Sequence, residues 1–271
     1  MALSVVLIGA HPDDCEIFAG GTALRWLQTG ARVTMVSTTN GDAGHHADSG
    51  ESLAKRRALE SAGPAKRFGY AHIILNNHDG ELLPTLALRR ELIRIIREAR
   101  ADVVATHRPW DYHPDHRYTA TAVQDAAFLV TVPNICPGTP RLEANPVFLY
   151  MMDRFQKPYP FQADIAVDVG PVMDDKWRML ENMESQLYEW LPWLDGTMDS
   201  VPEGAEERKA WLREQWDPMF LAPAAMARES LAKWYGRSAE SVRYAELFEV
   251  CEYGTQPDEA MIRRLFPFLS H

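Results

Sequence analysis

Apolar residues in the first half of the chain follow two alternating rhythms. Short β-branched runs at residues 3–10, 32–38, 72–75 and 102–106 read as four strands. Between them lie longer patterns with helical spacing. Residues 18–28 predict a helix closed by Gly30, and residues 52–62 predict one ended by Gly63-Pro64. Residues 86–100 carry Leu88, Leu92, Ile95, Ile96 and Ala99 on one stripe, and a fourth helix runs from about His116 to Phe128. Strands that alternate with helices imply an α/β fold: a Rossmann-like, mostly parallel sheet with helices on both faces.

The pattern then loosens. Residues 131–146 hold four prolines and read as an ordered excursion. Residues 147–151 and 163–169 read as further strands and 172–186 as a helix. From Tyr188 the chain turns aromatic and helical, with Trp190, Trp193, Trp211, Trp216 and Trp234. No repeat, low-complexity tract or linker interrupts it. The expectation is one domain over residues 1–271, with 187–271 a Trp-rich, helical C-terminal extension packed on it.

Composition narrows the function. Hydrophobic residues make up 46% and charged residues 24% of the 271 positions, enough for a sizeable core. The net charge of −10 argues against nucleic acid and against an anionic membrane surface as partners. Cys15, Cys136 and Cys251 form neither a CxxC pair nor a disulfide framework, which fits a reducing cytoplasm. The apolar start lacks a basic flank and is cut short by His11-Pro12-Asp13-Asp14. It reads as a buried first strand, not a signal peptide, and no later run is long enough for membrane insertion. The acidic charge and the Trp-rich last third are compatible with a closed homo-oligomer.

The nine His are unevenly placed. His72 and His271 carry no functional expectation. The other seven follow strand ends: His11 after the first, His45 and His46 after the second, His78 after the third, and His107, His113 and His116 after the fourth. In an open α/β sheet, ligands bind beyond the carboxyl ends of the strands where strand order reverses. A single His-Pro-Asp turn is an ordinary helix start, because Asp caps helices well. Two such turns at adjoining strand ends point instead to a His, Asp and His set that leaves a coordination position open on a catalytic divalent metal. Other chemistries lack their motifs: there is no GxGxxG after the first strand, no GxxxxGK[ST] and no GxSxG elbow. Gly20-Gly21 comes too late for a dinucleotide site and reads as close helix–sheet packing. Cys15 reads as a neighbour of the motif, not as a nucleophile.

Ala10-His11-Pro12-Asp13-Asp14-Cys15-Glu16, followed by Gly20-Gly21, resembles the AHPDDxE…GG signature of the LmbE-like (PIG-L) zinc de-N-acetylases. His113-Pro114-Asp115-His116 is similar to that family's HPDH motif, Thr39 to Gly44 to its T-x-G-E/D-x-G segment, Arg57-Ala58-Leu59-Glu60 to its RxxE helix, and Asp79-Gly80 to its D-G. Ala245 to Phe248 looks like a family-type last strand. The resemblance implies that His11, Asp14 and His116 hold Zn2+ or another divalent metal. It implies Asp13 as general base toward a metal-activated water, a protonated His113 at the developing oxyanion, Asp115 orienting His113, and Arg57 on the substrate. Asp42, in the T-x-G-E/D-x-G segment, is expected beside the substrate with it. The chain departs from the family where Met183-Glu184-Ser185-Gln186 replaces a segment that carries a His.

The implied activity is removal of an N-acetyl group from an N-acetylated amino sugar or a small conjugate of one. Trp110 and Tyr112 flank the second motif and are expected to line the pocket, whereas the C-terminal Trp residues read more as core. The runner-up is an amidase of the same family acting on a larger or non-sugar amide. A non-catalytic metal-binding protein ranks last, because no motif residue is missing.

Overall fold

The computed structural model describes residues 2–269, so His271 lies outside the described residues. All six residues of β1 (Ser4–Gly9) are buried. Val5 and Leu7 join an apolar cluster on one face, and Val6 and Ile8 join another on the opposite face. That is how a strand covered on both sides reads, because successive side chains alternate faces. β1 pairs in parallel with β2 (Arg32–Ser37) and with β4 (Val103–Thr106). β2 pairs with β3 (Ala71–Ile74), and β4 with β5 (Val147–Met151), again in parallel. β7 (Ala245–Gly254) enters from the C-terminal third and runs antiparallel to both β5 and β6 (Ile165–Asp168). The sheet order is β3-β2-β1-β4-β5-β7-β6. The chain winds outward from β1 to β3 and returns to β4 beside β1, so strand order reverses at the carboxyl ends of β1 and β4.

Helices cover both faces. On one, Trp26 of α1 (Asp14–Gln28) packs in a cluster with Trp234 of α8 (Arg228–Tyr235) and Ile262 of α9 (Glu259–Leu265). On the other, Leu92 and Ile96 of α3 (Leu86–Ala99) meet Val123 and Ala126 of α4 (Pro114–Leu129). The remaining helices are α2 (Gly50–Phe68), α5 (Met173–Leu180), α6 (Leu191–Leu194) and α7 (Ala205–Met226). The double glycine of α1 docks on the sheet as expected: the N–H groups of Gly21 and Thr22 donate to Glu246 of β7 at 2.8 and 2.6 Å. Among the described residues, no helix is long and apolar enough to cross a membrane.

Four helix boundaries differ from the sequence reading. Helices α1 and α4 start at Asp14 and Pro114, so the motif residues form their first turns. Helix α2 does not stop at Gly63-Pro64 but runs on to Phe68, where Gly69 caps it in a left-handed conformation (φ 81°). Gly63 marks a close approach instead: a Cβ there would lie 2.9 Å from Asn182 Oδ1. The helix expected over 172–186 ends at Leu180, and a π-helical turn (Ser185–Trp190) follows. Its first residue is tied to α2, since the N–H and hydroxyl of Ser185 both donate to the Glu60 carboxylate at 2.9 and 2.6 Å.

Candidate active site

The turn after β1 is tight, with the Asp13 N–H donating to the His11 carbonyl at 2.9 Å. Gly9 leaves room for it, because a Cβ at this position would sit 2.6 Å from the Asp14 Cβ. The backbone N–H groups of Ala10 and His11 both donate to Asp14 Oδ2 at 2.8 Å. His11 Nδ1 lies 3.4 Å from that oxygen, and His116 Nε2 lies 3.4 Å from Oδ1. With Oδ2 saturated by backbone donors, Oδ1 is the freer oxygen.

The outer nitrogens of the two imidazoles are held by carboxylates. His11 Nε2 lies 3.1 Å from Asp79 and 3.2 Å from Asp115, and His116 Nδ1 is bonded to Asp111 at 2.8 Å. His11, His113 and His116 offer nitrogens within 4.8 Å of one another, as do the donor atoms of Asp14, His107 and His116. This donor chemistry fits a divalent cation: imidazoles approach both oxygens of Asp14, and carboxylates fix the ring orientations from behind.

Asp13 is turned away from this cluster, and its Oδ2 meets the Arg57 guanidinium at 3.2 Å. Arg57 is itself buried, donating to the Gly41 and Pro12 carbonyls and pairing with Asp79 at 3.5 Å. His113 caps α4, where its Nδ1 accepts the Asp115 N–H at 3.3 Å. In the neutral ring the proton therefore resides on Nε2.

Surplus carboxylate charge favours positive charge here. Burial alone would depress His11, but hydrogen bonds to Asp115, Asp14 and Asp79 outweigh it and hold the ring well above its ordinary value. Burial likewise opposes protonation of His116, yet Asp14 and Asp111 push it up to about 9. Burial would raise Asp14, and the facing His116 and His107 hold it well below the usual carboxylate range. Asp79 falls to about 2: burial opposes this, but the hydrogen bond to His11 prevails. Asp13 moves the other way, raised mainly by burial against the pull of Arg57. A raised carboxylate is a better proton acceptor than an exposed one.

A cleft of about 500 Å3 exposes these groups, and His11, Asp13, Asp14, Arg57, His113 and His116 all line it. Tyr112 is at its edge, 78% exposed. Other expectations are corrected. Asp42 does not line the cleft; it is occupied by His78 at 2.6 Å and by the Asp79 N–H at 3.0 Å. Trp110 faces a separate cavity of about 550 Å3, edge-on to Tyr159. The Asp115 carboxylate does not orient His113. It accepts N–H bonds from Gly80 and Leu82 and reaches His11 instead. Burial and the nearby His11 and His116 charges lower His113 despite Asp115.

Sequence reasoning missed several groups. His107 stacks on His116 (4.0 Å, 3°) and lies 3.1 Å from Asp14 Oδ2; its place directly after β4 was the available signal. Asp79 and Asp111 hold the imidazoles. Trp190 and Trp216, read as core, line the cleft with Gln186. Trp190 stacks on Trp193, which stacks on His46.

A model of the PIG-L family, described as GlcNAc-PI de-N-acetylase, matches residues 6–127. A diacetylchitobiose deacetylase of Thermococcus kodakarensis is 31% identical over 70% of this chain and 74% of its own length. A 1D-myo-inositol 2-acetamido-2-deoxy-alpha-D-glucopyranoside deacetylase of Streptomyces scabiei is 28% identical over 90% of this chain and 88% of its own. Among solved structures, the N,N'-diacetylchitobiose deacetylase of Pyrococcus horikoshii superposes with a TM-score of 0.69 at 25% identity, covering 91% of this chain and 83% of that one. GalB, a 4-carboxy-2-hydroxymuconate hydratase of Pseudomonas putida, superposes at 0.73 with 18% identity, covering 95% and 99%. That last likeness shows the fold alone, and a fold can host different reactions. Taken with the two His-Pro-Asp turns and the donors they bring together, the chain belongs to the PIG-L (LmbE-like) family of de-N-acetylases.

Proposed function

We propose that the chain is a zinc-dependent hydrolase that removes an N-acetyl group from an N-acetylated amino sugar or a small conjugate of one. The observation that carries this reading is the division of labour between neighbours: Asp14 sits between two imidazoles, while Asp13 stays free of them in the same cleft. The deacetylase activities of the relatives on diacetylchitobiose and on a 2-acetamido-2-deoxyglucopyranoside of inositol support the amino-sugar class.

In this reading His11, Asp14 and His116 hold the metal, and the same mixed N/O donors would accept another divalent ion. When bound, the ion supplies Lewis acidity, polarising the amide carbonyl and making water a stronger acid. Asp13 takes a proton from the attacking water as the carbon–oxygen bond forms. Arg57 fixes the direction of that carboxylate. His113, neutral with its proton on Nε2, donates to the oxygen that gains charge, a contribution typically of several kcal/mol when the donor is preorganised. Asp13 then passes the proton to the nitrogen as the carbon–nitrogen bond breaks, giving a carboxylate and a free amine. Asp79, Asp111 and Asp115 keep the imidazoles in place. Residues 1–271 act as one domain in this account, and the free, dispersed cysteines suit a cytoplasmic setting.

Incubation with N-acetylglucosamine and N,N'-diacetylchitobiose tests the reading. It expects acetate and free amine in equal amounts; a chain that cleaves neither sugar but hydrolyses non-sugar amides overturns it.

A further inference from the structure

A second cavity, of about 320 Å3, adjoins the cleft on the far side of His116. The two share Ile17, Phe18, Tyr112, His116 and Met219 as walls. The rest of the lining is largely apolar, with Met152, Phe155, Phe220, Pro223 and Leu247. Its charged groups are mostly paired. Lys176 bonds Glu246 and the Ile17 carbonyl at 2.7 Å each, Asp111 bonds His116 at 2.8 Å, and the half-buried Asp153 meets Arg108 at 2.8 Å through Oδ1 alone. The exposed Arg154 also lines it.

The sheet order explains why this cavity differs from the cleft. β1 and β4 deliver the metal donors at the centre. The cleft's own polar groups, Arg57, Asp79, Gly44 and Gln186, gather toward β2 and β3, beside an apolar face of Trp190, Leu191 and Trp216. Toward β5 and β7 most of the open surface is apolar, from Met152, Phe155 and Leu247, between the paired charges. An amide has two substituents, and a reacting carbonyl at the His11–Asp14–His116 cluster would send one to each flank. The hydroxyl-rich amine side matches the polar flank and the acyl side matches the apolar one.

We propose that the cavity beside His116 receives the acyl chain of the substrate, and that the preferred substrates are N-acyl amino sugars with acyl groups longer than acetyl. This rests on the hydrolase reading above and adds the acyl specificity. A methyl group is about the size of a water, about 30 Å3 in the liquid. A 320 Å3 cavity is far larger and falls in the range of sites that take whole ligand fragments. The products are the free amino sugar and the longer carboxylate: water's oxygen goes to the acyl carbon and its protons to the amine and solvent.

The test is kcat/KM for a series of N-acyl glucosamines: acetyl, butyryl, hexanoyl and octanoyl. Full burial of a methylene corresponds to roughly a fourfold gain, so hexanoyl is expected to exceed acetyl by at least about tenfold even with partial burial. Met152→Trp, which fills the cavity from a wall the cleft does not share, is expected to bring the hexanoyl-to-acetyl ratio toward one. If the wild type hydrolyses the acetyl substrate with equal or better efficiency than the longer ones, the acyl pocket is overturned and the deacetylase reading stands. A length preference that survives Met152→Trp also overturns the cavity's role. If no member of the series is hydrolysed, the hydrolase reading itself falls, and this inference with it.

Discussion

Asp14 Oδ1 lies 3.4 Å from His116 Nε2, while Asp14 Oδ2 is held by the N–H groups of Ala10 and His11. The carboxylate is therefore locked by the β1–α1 turn before any ion arrives, and one oxygen is left to face the second motif. Asp14→Asn removes the charge that opposes two imidazoles. Metal content after dialysis against a competing chelator should fall by more than the roughly 10–100-fold typical of losing a group that only orients a ligand. Asp111→Asn, which weakens the hydrogen bond behind His116 by removing its charge, should produce the smaller loss. Equal losses in the two variants would contradict the assignment of Asp14 as ligand.

Asp13 is expected to separate from Asp14 in the same assay. Asp13→Asn should keep its metal while kcat falls by about 10²–10⁴, the range for loss of a general base. A variant that loses metal in parallel with activity would place Asp13 among the ligands instead.

Gly9→Ala tests the turn itself. The added Cβ would lie 2.6 Å from the Asp14 Cβ, and the backbone on either side is buried. Forcing a methyl group into a packed site costs about 1–3 kcal/mol. Urea denaturation should show that loss together with weaker metal retention, because the displaced atom belongs to Asp14. Wild-type stability and metal retention in this variant would contradict the packing argument.

His72, which does not line the cleft, governs a separate pH response. Burial pulls it from 6.5 down to about 4 in the folded chain. Between those values the unfolded chain binds more protons, so this contribution is present above about pH 6.5 and is lost as pH falls toward 4. Glu16, 3.5 Å away, acts in the opposite sense: burial raises it from 4.5 to about 7, so its contribution is lost as pH rises through 7. A difference measurement isolates His72. The stability of the wild type relative to His72→Gln should fall by about 2 kcal/mol between about pH 8 and pH 5. A difference that does not change with pH would mean that His72 does not resist protonation.

The strand–helix alternation was legible in the sequence because Val5, Val6, Leu7 and Ile8 give β1 apolar side chains on both faces and because α3 carries a clean stripe. The two His-Pro-Asp turns were legible for the same local reason, since the first lies directly after β1 and the second opens α4, the helix that follows β4. What failed depended on partners distant in sequence. Asp115 adjoins His113 along the chain, but the Gly80 and Leu82 N–H groups draw its carboxylate to His11. Trp110 sits beside the motif, yet it turns away toward Tyr159, whereas Trp190, remote in sequence, lines the cleft. Asp42 belongs to a recognisable segment and is consumed by His78 and the Asp79 backbone. Pro64 looked like a helix stop, and α2 instead continues to the left-handed Gly69.

The most direct test of the central claim is acetate release from N,N'-diacetylchitobiose by protein stripped of metal and then reloaded with zinc. The account predicts that release is abolished on stripping and restored on reloading. Undiminished release by the stripped protein would contradict it.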